Sequence, residues 1–235
     1  MAELACAGRT IREINAEIRR LLKEGEAVTV SSPGARHNLG VALLESGVVV
    51  FDGSVGYYCA GLIDGARVRI KGSAGWGLAE SMLSGEVIVE GNAGNSAGAA
   101  IRGGALVVQG DSGARTGVSM KNGLIIVTGS CGYMSGFMGQ GGKMIICGDA
   151  AEAFGDSMYE TICFIGGAIA DLGNDAIVAE STDEDKQFLD TSLSYYLPAA
   201  LRGNLPGAGD FKKVISGRKL WNFKKSEWKT WEQAL

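Results

Sequence analysis

Short apolar segments recur along the chain at a constant spacing of 19 residues, and each of them ends in glycine. The clearest segments run from "RVRIKG" to "KMIICG" and end at Gly72, Gly91, Gly110, Gly129 and Gly148. The same spacing extends backwards to Gly53 and Gly34 and forwards to Gly167, which predicts eight marks without an insertion. A fixed period with one apolar strand per repeat is typical of a β-solenoid, in which each repeat forms one coil of a stack.

Side chains within each segment alternate between two faces, as they do in a β-strand. One face is apolar in every repeat and is predicted to fill the interior: Val49 and Phe51, Val68 and Ile70, Val87 and Val89, Leu106 and Val108, Ile125 and Val127, Met144 and Ile146, Cys163 and Ile165. On the other face, Arg67 precedes Glu86 by one period. Lys71 precedes Glu90 in the same way, so we expect opposite charges to stack on neighbouring coils.

A central column of the outward face is apolar in most repeats, although an isolated solenoid would expose it to water. It consists of Val50, Arg69, Ile88, Val107, Ile126, Ile145 and Phe164. Monomeric soluble proteins rarely leave a continuous apolar surface of this extent open. We therefore expect the chain's own helix or tail, or another subunit, to pack over it.

Further glycines keep the same phase and are predicted to form the corners between strands. Glycine suits a corner because it adopts positive φ and lets neighbouring backbones approach closely. The predicted corner glycines are Gly53, Gly56, Gly72, Gly75, Gly91, Gly94, Gly110, Gly113, Gly129, Gly132 and Gly148. Asn92, Asn95 and Asn122 are also expected in turns, where their amides can form hydrogen-bond ladders between coils.

Two amphipathic segments flank the repeats and are predicted to be helices that cap the stack or pack against it. In the first, Thr10 and Glu13 form a capping box, and Gly25 ends the helix. The second, "STDEDKQFLDTSLSYYL", begins with a cap residue and acids and carries an apolar stripe. We divide the chain into an N-terminal capping helix (1–27), a β-helix (28–181) and a C-terminal helix with an extended arm (182–235).

The C-terminal arm combines basic and aromatic residues. From Asp210 onward it contains seven Lys or Arg and three acidic residues, a net charge of +4 within a chain of net charge −4. Proteins that bind single-stranded nucleic acid show a similar combination. The simpler interpretation is an arm that lies on an acidic body or on a partner, with aromatic anchors. The docking candidates within it are Trp221, Phe223, Trp228 and Trp231.

Composition excludes several classes of protein. The 37 glycines do not fall at every third position and only three prolines accompany them, which excludes a collagen. The net charge of −4 gives no reason to expect nucleic acid as the main partner, and no window of about 20 apolar residues predicts a membrane span. The N-terminus lacks the pattern of a secretory signal, and five scattered cysteines suit a reducing cytoplasm.

Candidate catalytic and ligand-binding residues are few. The segment "GFMGQGGKM" fails as a phosphate-binding loop, because Phe137 and Met144 replace residues that the motif requires. The chain has one histidine, His37, and no Cys-x-x-Cys pair, so no metal site is predicted. Cys131 falls in a column of small inward-facing residues, whereas Cys147 faces outward. We predict no catalytic, cofactor-binding or metal-binding residues on this chain; an enzyme that uses His37 or Cys147 is the alternative.

The predicted fold is all-β: a right-handed parallel β-helix, a single-stranded solenoid with 19 residues per coil. Left-handed β-helices repeat every six residues, and this period does not fit them. The paired glycines in "GNAGNSAG", "GDSGARTG" and "GSCGYMSG" resemble the GXGXG β-helix family. That family includes the C-terminal domain of the glutamate synthase large chain and a subunit of formylmethanofuran dehydrogenase. The resemblance covers at least residues 30–180.

The wider layout is most similar to the stand-alone β-helix subunits of N-methylglutamate synthase, also called methylamine–glutamate N-methyltransferase. The features in common are the N-terminal capping helix, seven coils and the tail "FKKVISGRKLWNFKKSEW". In that family the β-helix carries no catalytic residues. The resemblance therefore implies a cytoplasmic scaffold subunit with no cofactor of its own.

The resemblance also implies a hetero-oligomer with two partners, a glutamine-amidotransferase-like subunit and a synthase subunit that carries FMN and iron–sulfur clusters. The β-helix would hold their active sites at a fixed distance and wall a passage for ammonia or methylamine. An equivalent β-helix subunit of glutamate synthase or formylmethanofuran dehydrogenase is the alternative within the family.

The variant Gly113→Val tests the corner assignment. We expect it to abolish soluble expression, because a β-branched residue at positive φ costs about 1–3 kcal/mol and blocks the stack. Soluble yield and melting temperature measure this, and an unchanged melting temperature would contradict the assignment.

Overall fold

The computed structural model describes residues 1–217. Within them the strands are, in chain order, β1 (Ala2–Ala5), β2 (Val28–Ser31), β3 (Gly47–Asp52), β4 (Ala66–Ile70), β5 (Glu86–Val89), β6 (Ala105–Val108), β7 (Leu124–Val127), β8 (Lys143–Ile146), β9 (Ile162–Ile165), β10 (Ala176–Ala179) and β11 (Lys212–Ser216). The helices are α1 (Ile11–Lys23), α2 (Asp183–Tyr196) and α3 (Ala199–Arg202), with a 3₁₀ turn at Ala208–Asp210.

The chain forms a right-handed parallel β-helix of about seven turns. Strands β1 to β9 pair in parallel in the order of the sequence, so each coil lies on the one before it. From β3 onward each residue pairs with the residue one period later: Val49 lies opposite Val68, and Val68 lies opposite Val87. The fold and the period predicted from the apolar segments are both confirmed.

The first coil is longer than the period predicts. Val28 lies opposite Val49, whereas the period would place it opposite Gly47, so the extension of the period back to Gly34 was wrong. The loop of this coil contacts α1 instead of a preceding coil. The Asn15 side chain donates to the Asn38 carbonyl oxygen at 2.7 Å and accepts from the Gly40 N–H at 2.8 Å. The added residues therefore lie where the stack meets its capping helix.

The interior is filled by the chain's own side chains. Every member of the predicted inward set is at most 2% exposed. A second inner row of small residues stacks by parallel bridges: Val55, Ala74, Ala93, Ser112, Cys131 and Ala150. The inward-facing position predicted for Cys131 is thus confirmed. Nearly all residues of this row belong to the same buried cluster as the inward side chains of the strands, so the interior is a packed core.

A hydrogen-bond ladder joins the turns that follow the strands. In this turn ladder a side-chain oxygen of one coil accepts from a backbone N–H one period later, at 2.7–3.1 Å. The accepting side chains are Ser54, Ser73, Asn92, Asp111, Ser130 and Asp149. Asn95 makes the same kind of bond to the Ala114 N–H at 2.9 Å. Backbone donors at each turn are therefore satisfied by the coil below.

Close approach between coils explains most of the predicted corner glycines. At every one of them except Gly53, an added Cβ would lie within 3.0 Å of an atom of the preceding coil. On Gly91 it would lie 2.6 Å from Ser73 Oγ, a member of the turn ladder. A different set of glycines, just before the strands, has positive φ; Gly104, at φ +76°, is an example.

The expectation of positive φ at Gly113 was wrong, because Gly113 is absent from the left-handed region. A Cβ on Gly113 would instead lie 2.7 Å from the Asn95 backbone nitrogen and 2.9 Å from the Gly94 carbonyl carbon. The stacking distance, not the torsion angle, excludes a side chain there.

Helix α2 covers the outward apolar column over β6 to β9. Val107, Ile126, Ile145 and Phe164 are fully buried there, in one cluster with Leu189, Leu193 and Phe211. The chain's own helix and tail thus provide the cover that the sequence required. The cover ends at β5, where Ile88 is half-buried, and Arg69 on β4 is exposed.

The ion pairs on the open part of the outward face differ from the expected ones. Arg69 Nε lies 2.6 Å from Glu90 Oε1, and Lys71 Nζ lies 3.0 Å from Asp52 Oδ1. The expected Lys71–Glu90 pair does not form, since the long Arg69 side chain reaches Glu90 diagonally. Charges do alternate between neighbouring coils, but with different partners.

The C-terminal end contains a strand that the sequence did not indicate. Strand β11 inserts antiparallel between β9 and β10, with Val214 buried opposite Cys163. Beside it, Lys213 Nζ lies 2.7 Å from Asp185 Oδ2; the Asp185 side chain is buried and the Lys213 side chain is mostly buried. Asp185 also accepts from the Thr182 N–H at 2.9 Å and so closes the capping box of α2. One carboxylate therefore joins the start of α2 to β11.

We expect Gly113→Ala to destabilise the fold and Gly203→Ala to leave it nearly unchanged. Gly203 is the matched control because no atom lies within 4 Å of an added Cβ there. At Gly113 the overlap with the coil below should cost about 1–3 kcal/mol, as overpacking does elsewhere. Urea unfolding of both variants measures the difference. Equal stabilities would show that the coils move apart at Gly113 without cost to accommodate the added Cβ.

The Asp185 carboxylate should make stability depend on pH. Burial opposes its ionisation, but the hydrogen bonds from Lys213 and Thr182 outweigh burial and lower the pKa of Asp185. A lowered folded-state pKa contributes stability above the unfolded value of about 4, and that contribution is lost as pH falls through the folded value. We expect Asp185→Asn to be less stable than wild type at pH 7 and the gap to narrow near pH 3.

The exposed Asp190 of the same helix provides the control for this experiment. Asp190→Asn should track wild type at both pH values in urea unfolding. A gap for Asp185→Asn that stays constant between pH 7 and pH 3 would contradict an ionised Asp185.

Candidate docking surface

Three exposed aromatic rings stack on successive coils near the N-terminal end. The His37 and Tyr57 ring centroids are 4.4 Å apart with an interplanar angle of 16°. The Tyr57 and Trp76 centroids are 5.4 Å apart with an angle of 20°. Tyr57 and Trp76 occupy the same coil position, four residues after Gly53 and Gly72, so the register of the solenoid creates the stack. Offset stacking of this kind fixes the rings without burying them.

His37 is held in place by the backbone as well as by the stack. Its Nδ1 accepts a hydrogen bond from the Tyr57 N–H at 2.8 Å. This bond and the ring contact give His37 a structural role on the exposed surface.

Two more large side chains extend the exposed surface beside the aromatic stack. Tyr58 is 48% exposed and Leu62 is 49% exposed. They line a cavity of about 250 Å³ together with Val41 and Glu80. We call the set His37, Tyr57, Tyr58, Leu62 and Trp76 the aromatic surface.

The backbone at Tyr58 and Leu62 shows that folding does not require large residues there. Both have left-handed torsions, with φ of 58° and 57°, a region that costs free energy for large side chains. The next coil has Gly77 and Ser81 at the equivalent positions. Two bulky apolar side chains therefore occupy strained and exposed positions where small residues would fold with less strain.

The cysteines lie away from any reactive surface. Cys147, expected to face outward, is indeed on the outward face, but α2 buries it to 4% exposure. Burial raises the pKa of Cys147 to about 12 and that of Cys131 to about 11. The remaining described cysteines are also buried. Thiols with such pKa values carry almost no thiolate near neutral pH, so they are inert as nucleophiles.

The segment "GFMGQGGKM" lies at a corner of the solenoid and runs into β8, which is not the strand-to-helix turn of a phosphate-binding loop. Its Lys143 packs against α2, with Nζ 3.8 Å from the centre of the Phe188 ring. This cation–π contact gives the lysine a packing role.

Residues 1–217 contain neither a candidate metal site nor a candidate membrane span. Within that range no group of three or more His, Cys, Asp or Glu side chains could hold a metal ion. No helix in the same range is long and apolar enough to cross a membrane. The docking candidates Trp221, Phe223, Trp228 and Trp231 lie outside the described residues.

The aromatic surface was missed in the sequence, although a signal was present. The spacing of 19 residues between Tyr57 and Trp76 places them on one column, which the period alone could have revealed. Tyr58 and Leu62 carry no such signal, because their exposure depends on the torsions of the turn.

Comparison with known proteins identifies a relative. No protein-family model matches the chain. The chain is similar to protein GlxC of Rhizobium meliloti (strain 1021), with 49% identity over 215 residues that cover 91% of this chain and 92% of GlxC. Such identity over nearly the whole of both chains shows a common family. This chain therefore belongs to the family of protein GlxC.

Proposed function

We propose that this chain is a non-catalytic scaffold subunit of a glutamate-synthase-like complex, of the N-methylglutamate synthase type. It docks a glutamine-amidotransferase-like subunit and a synthase subunit that carries FMN and iron–sulfur clusters. The observation that carries the proposal is the aromatic surface, a set of large exposed side chains that the fold does not need. The glycine motif of the coils and the relationship to GlxC support the same assignment.

The aromatic surface has the physical properties of a docking site. Tyrosine and tryptophan are enriched at interfaces, where their rings bury much area and their polar groups form hydrogen bonds. The stack of His37, Tyr57 and Trp76 fixes the rings before binding, so little side-chain entropy is lost when a partner covers them.

A stacked solenoid is also suited to holding two partners apart. Neighbouring coils share continuous backbone hydrogen bonds from β1 to β9, and about seven coils at about 4.8 Å give a rod of about 34 Å. The outward face of β3 and β4, which α2 leaves open, presents Val48, Arg67 and Arg69 and offers a second contact surface. A rigid rod with two open surfaces keeps partner active sites at a fixed separation.

The variant Tyr58→Asp/Leu62→Asp tests this function. Aspartate tolerates left-handed torsions, so the fold should be kept while the apolar contact is lost. Loss of an interface hot spot costs about 2 kcal/mol or more, which weakens binding about thirtyfold or more. Tagged chain purified from its source cells should bring down a flavin-bearing partner and an amidotransferase-like partner, and the variant should lose at least one of them.

Tyr195→Asp provides the matched control, since Tyr195 is 73% exposed on α2, outside the aromatic surface. Native mass spectrometry and flavin absorbance report the partners, and melting temperature reports the fold. Partners retained equally by all three proteins would exclude the aromatic surface as the docking site. If the tagged chain instead brings down the partner subunits of glutamate synthase or of formylmethanofuran dehydrogenase, the scaffold belongs to that complex. Turnover or flavin colour in the isolated chain would overturn the scaffold role.

A further inference from the structure

The C-terminal end of the β-helix is open in the part of the chain that the structure describes. The sheet order ends with β9, β11 and β10, so β10 is an edge strand. Ile177 is 45% exposed and Val178 is 54% exposed. Neighbouring residues of a strand point to opposite faces, so both faces of β10 are uncovered. An apolar edge strand of this kind pairs readily with other chains unless something covers it.

The residues around β10 are acidic. Positions 171–184 contain five acidic residues and no Lys or Arg: Asp171, Asp175, Glu180, Asp183 and Glu184. All five are exposed, and one of them, Asp183, is paired with Lys186 at 3.1 Å. We call Ile177, Val178 and these acids the end surface. A second copy of the chain would bring the same acids against one another, and this repulsion disfavours edge-to-edge pairing of two end surfaces.

The chain leaves the described structure at the end surface. The Gly217 N–H donates to the Asp175 carbonyl oxygen at 2.7 Å. A Cβ on Gly217 would lie 2.9 Å from Ile177 Cγ2. Gly217, the last described residue, therefore lies against the apolar part of the end surface.

The remaining residues, 218–235, have the complementary composition. They contain five Lys or Arg and two Glu, a net charge of +3, against the five negative charges of positions 171–184. They also contain Trp221, Trp228 and Trp231, which are three of the four tryptophans of the chain. Their extended length of about 60 Å far exceeds the length of β10, about 13 Å, so reach is no obstacle.

We propose that residues 218–235 dock on the end surface of their own chain, where their aromatic side chains cover Ile177 and Val178 and their basic side chains face the acids. The tether gives the segment a millimolar effective concentration, so weak contacts are enough to hold it. Docking caps the edge of β10 and stops the solenoid from stacking end to end. This inference does not depend on the proposed scaffold function.

Tryptophan fluorescence of the full chain in a Trp76→Phe background tests the proposal, because only the tryptophans of 218–235 then emit. We expect blue-shifted emission that moves to the position seen in urea when Ile177→Asp is added. Glu180→Lys should move it in the same direction, and added salt should do so as well. Val48→Asp is the matched control, since Val48 is 36% exposed on β3, and it should leave the emission unchanged.

Circular dichroism of each variant checks that the β-helix is kept, and Glu180→Lys still decides the question if Ile177→Asp unfolds. The proposal would be overturned if the folded Trp76→Phe protein already emitted at the wavelength that it shows in urea. Emission that is insensitive to both end-surface variants would also overturn it. A blue shift that disappears on dilution together with a dimeric mass would overturn it too, because a second copy would then be the occupant.

Discussion

The close contact between successive turns is the constraint on which the rest of the molecule depends. Each coil supplies a side-chain oxygen that accepts from the backbone of the next, as Ser73 does for Asn92 and Asn92 does for Asp111. The oxygen lies so near the following strand end that a Cβ on Gly91 would overlap it. The ladder therefore requires a glycine directly before each donor residue of the next coil, and the lack of a side chain there lets the hydrogen bonds stay short. This mutual requirement holds the register constant from β3 to β9. An insertion would disrupt both the ladder hydrogen bond and the close packing at the glycine.

A core of this kind leaves no room inside for chemistry, and it moves recognition to the outside of the rod. Inward residues are buried at every level, and Cys147, which faces outward, lies under α2. What varies freely from coil to coil is the long turn, where backbone torsions are left-handed. Small residues occupy most of these positions; the large exceptions are Tyr58 and Leu62 on one coil, and Arg115, Met134 and Met138 on later coils. Large apolar side chains at strained, exposed positions are a stronger sign of function than exposure alone, because the fold would be more stable without them.

The two ends and the outward face of the rod are covered by different elements and to different extents. Helix α1 closes the first coil through Asn15, and α2 covers the outward column only over the second half of the sheet. Asp185 links the start of α2 to Lys213 of β11, so the helix, the returning strand and the last coil form one unit. The last strand, β10, keeps an apolar edge surrounded by acids. The described residues thus leave open surfaces at defined places on one folded body, as the proposed scaffold function requires.

The sequence by itself determined the repeat, the inward face, the capping box of α1, the start of α2 and the need for cover over the outward column. These follow from local spacing, since one period carries one strand and its alternation. The sequence did not show the longer first coil or why position 113 requires a glycine. It also did not show the ion-pair partners of Arg69 and Lys71, or the insertion of β11 between β9 and β10. Each of these depends on atoms that are distant in sequence and meet only after folding: α1 against the first loop, Gly113 against Asn95, Arg69 against Glu90, and β11 against β9. The aromatic surface was determined partly by the sequence and partly by the tertiary structure. The period placed Tyr57 and Trp76 in one column. Only the tertiary structure exposed Tyr58 and Leu62, because turn torsions and stacking decide which side chains reach solvent.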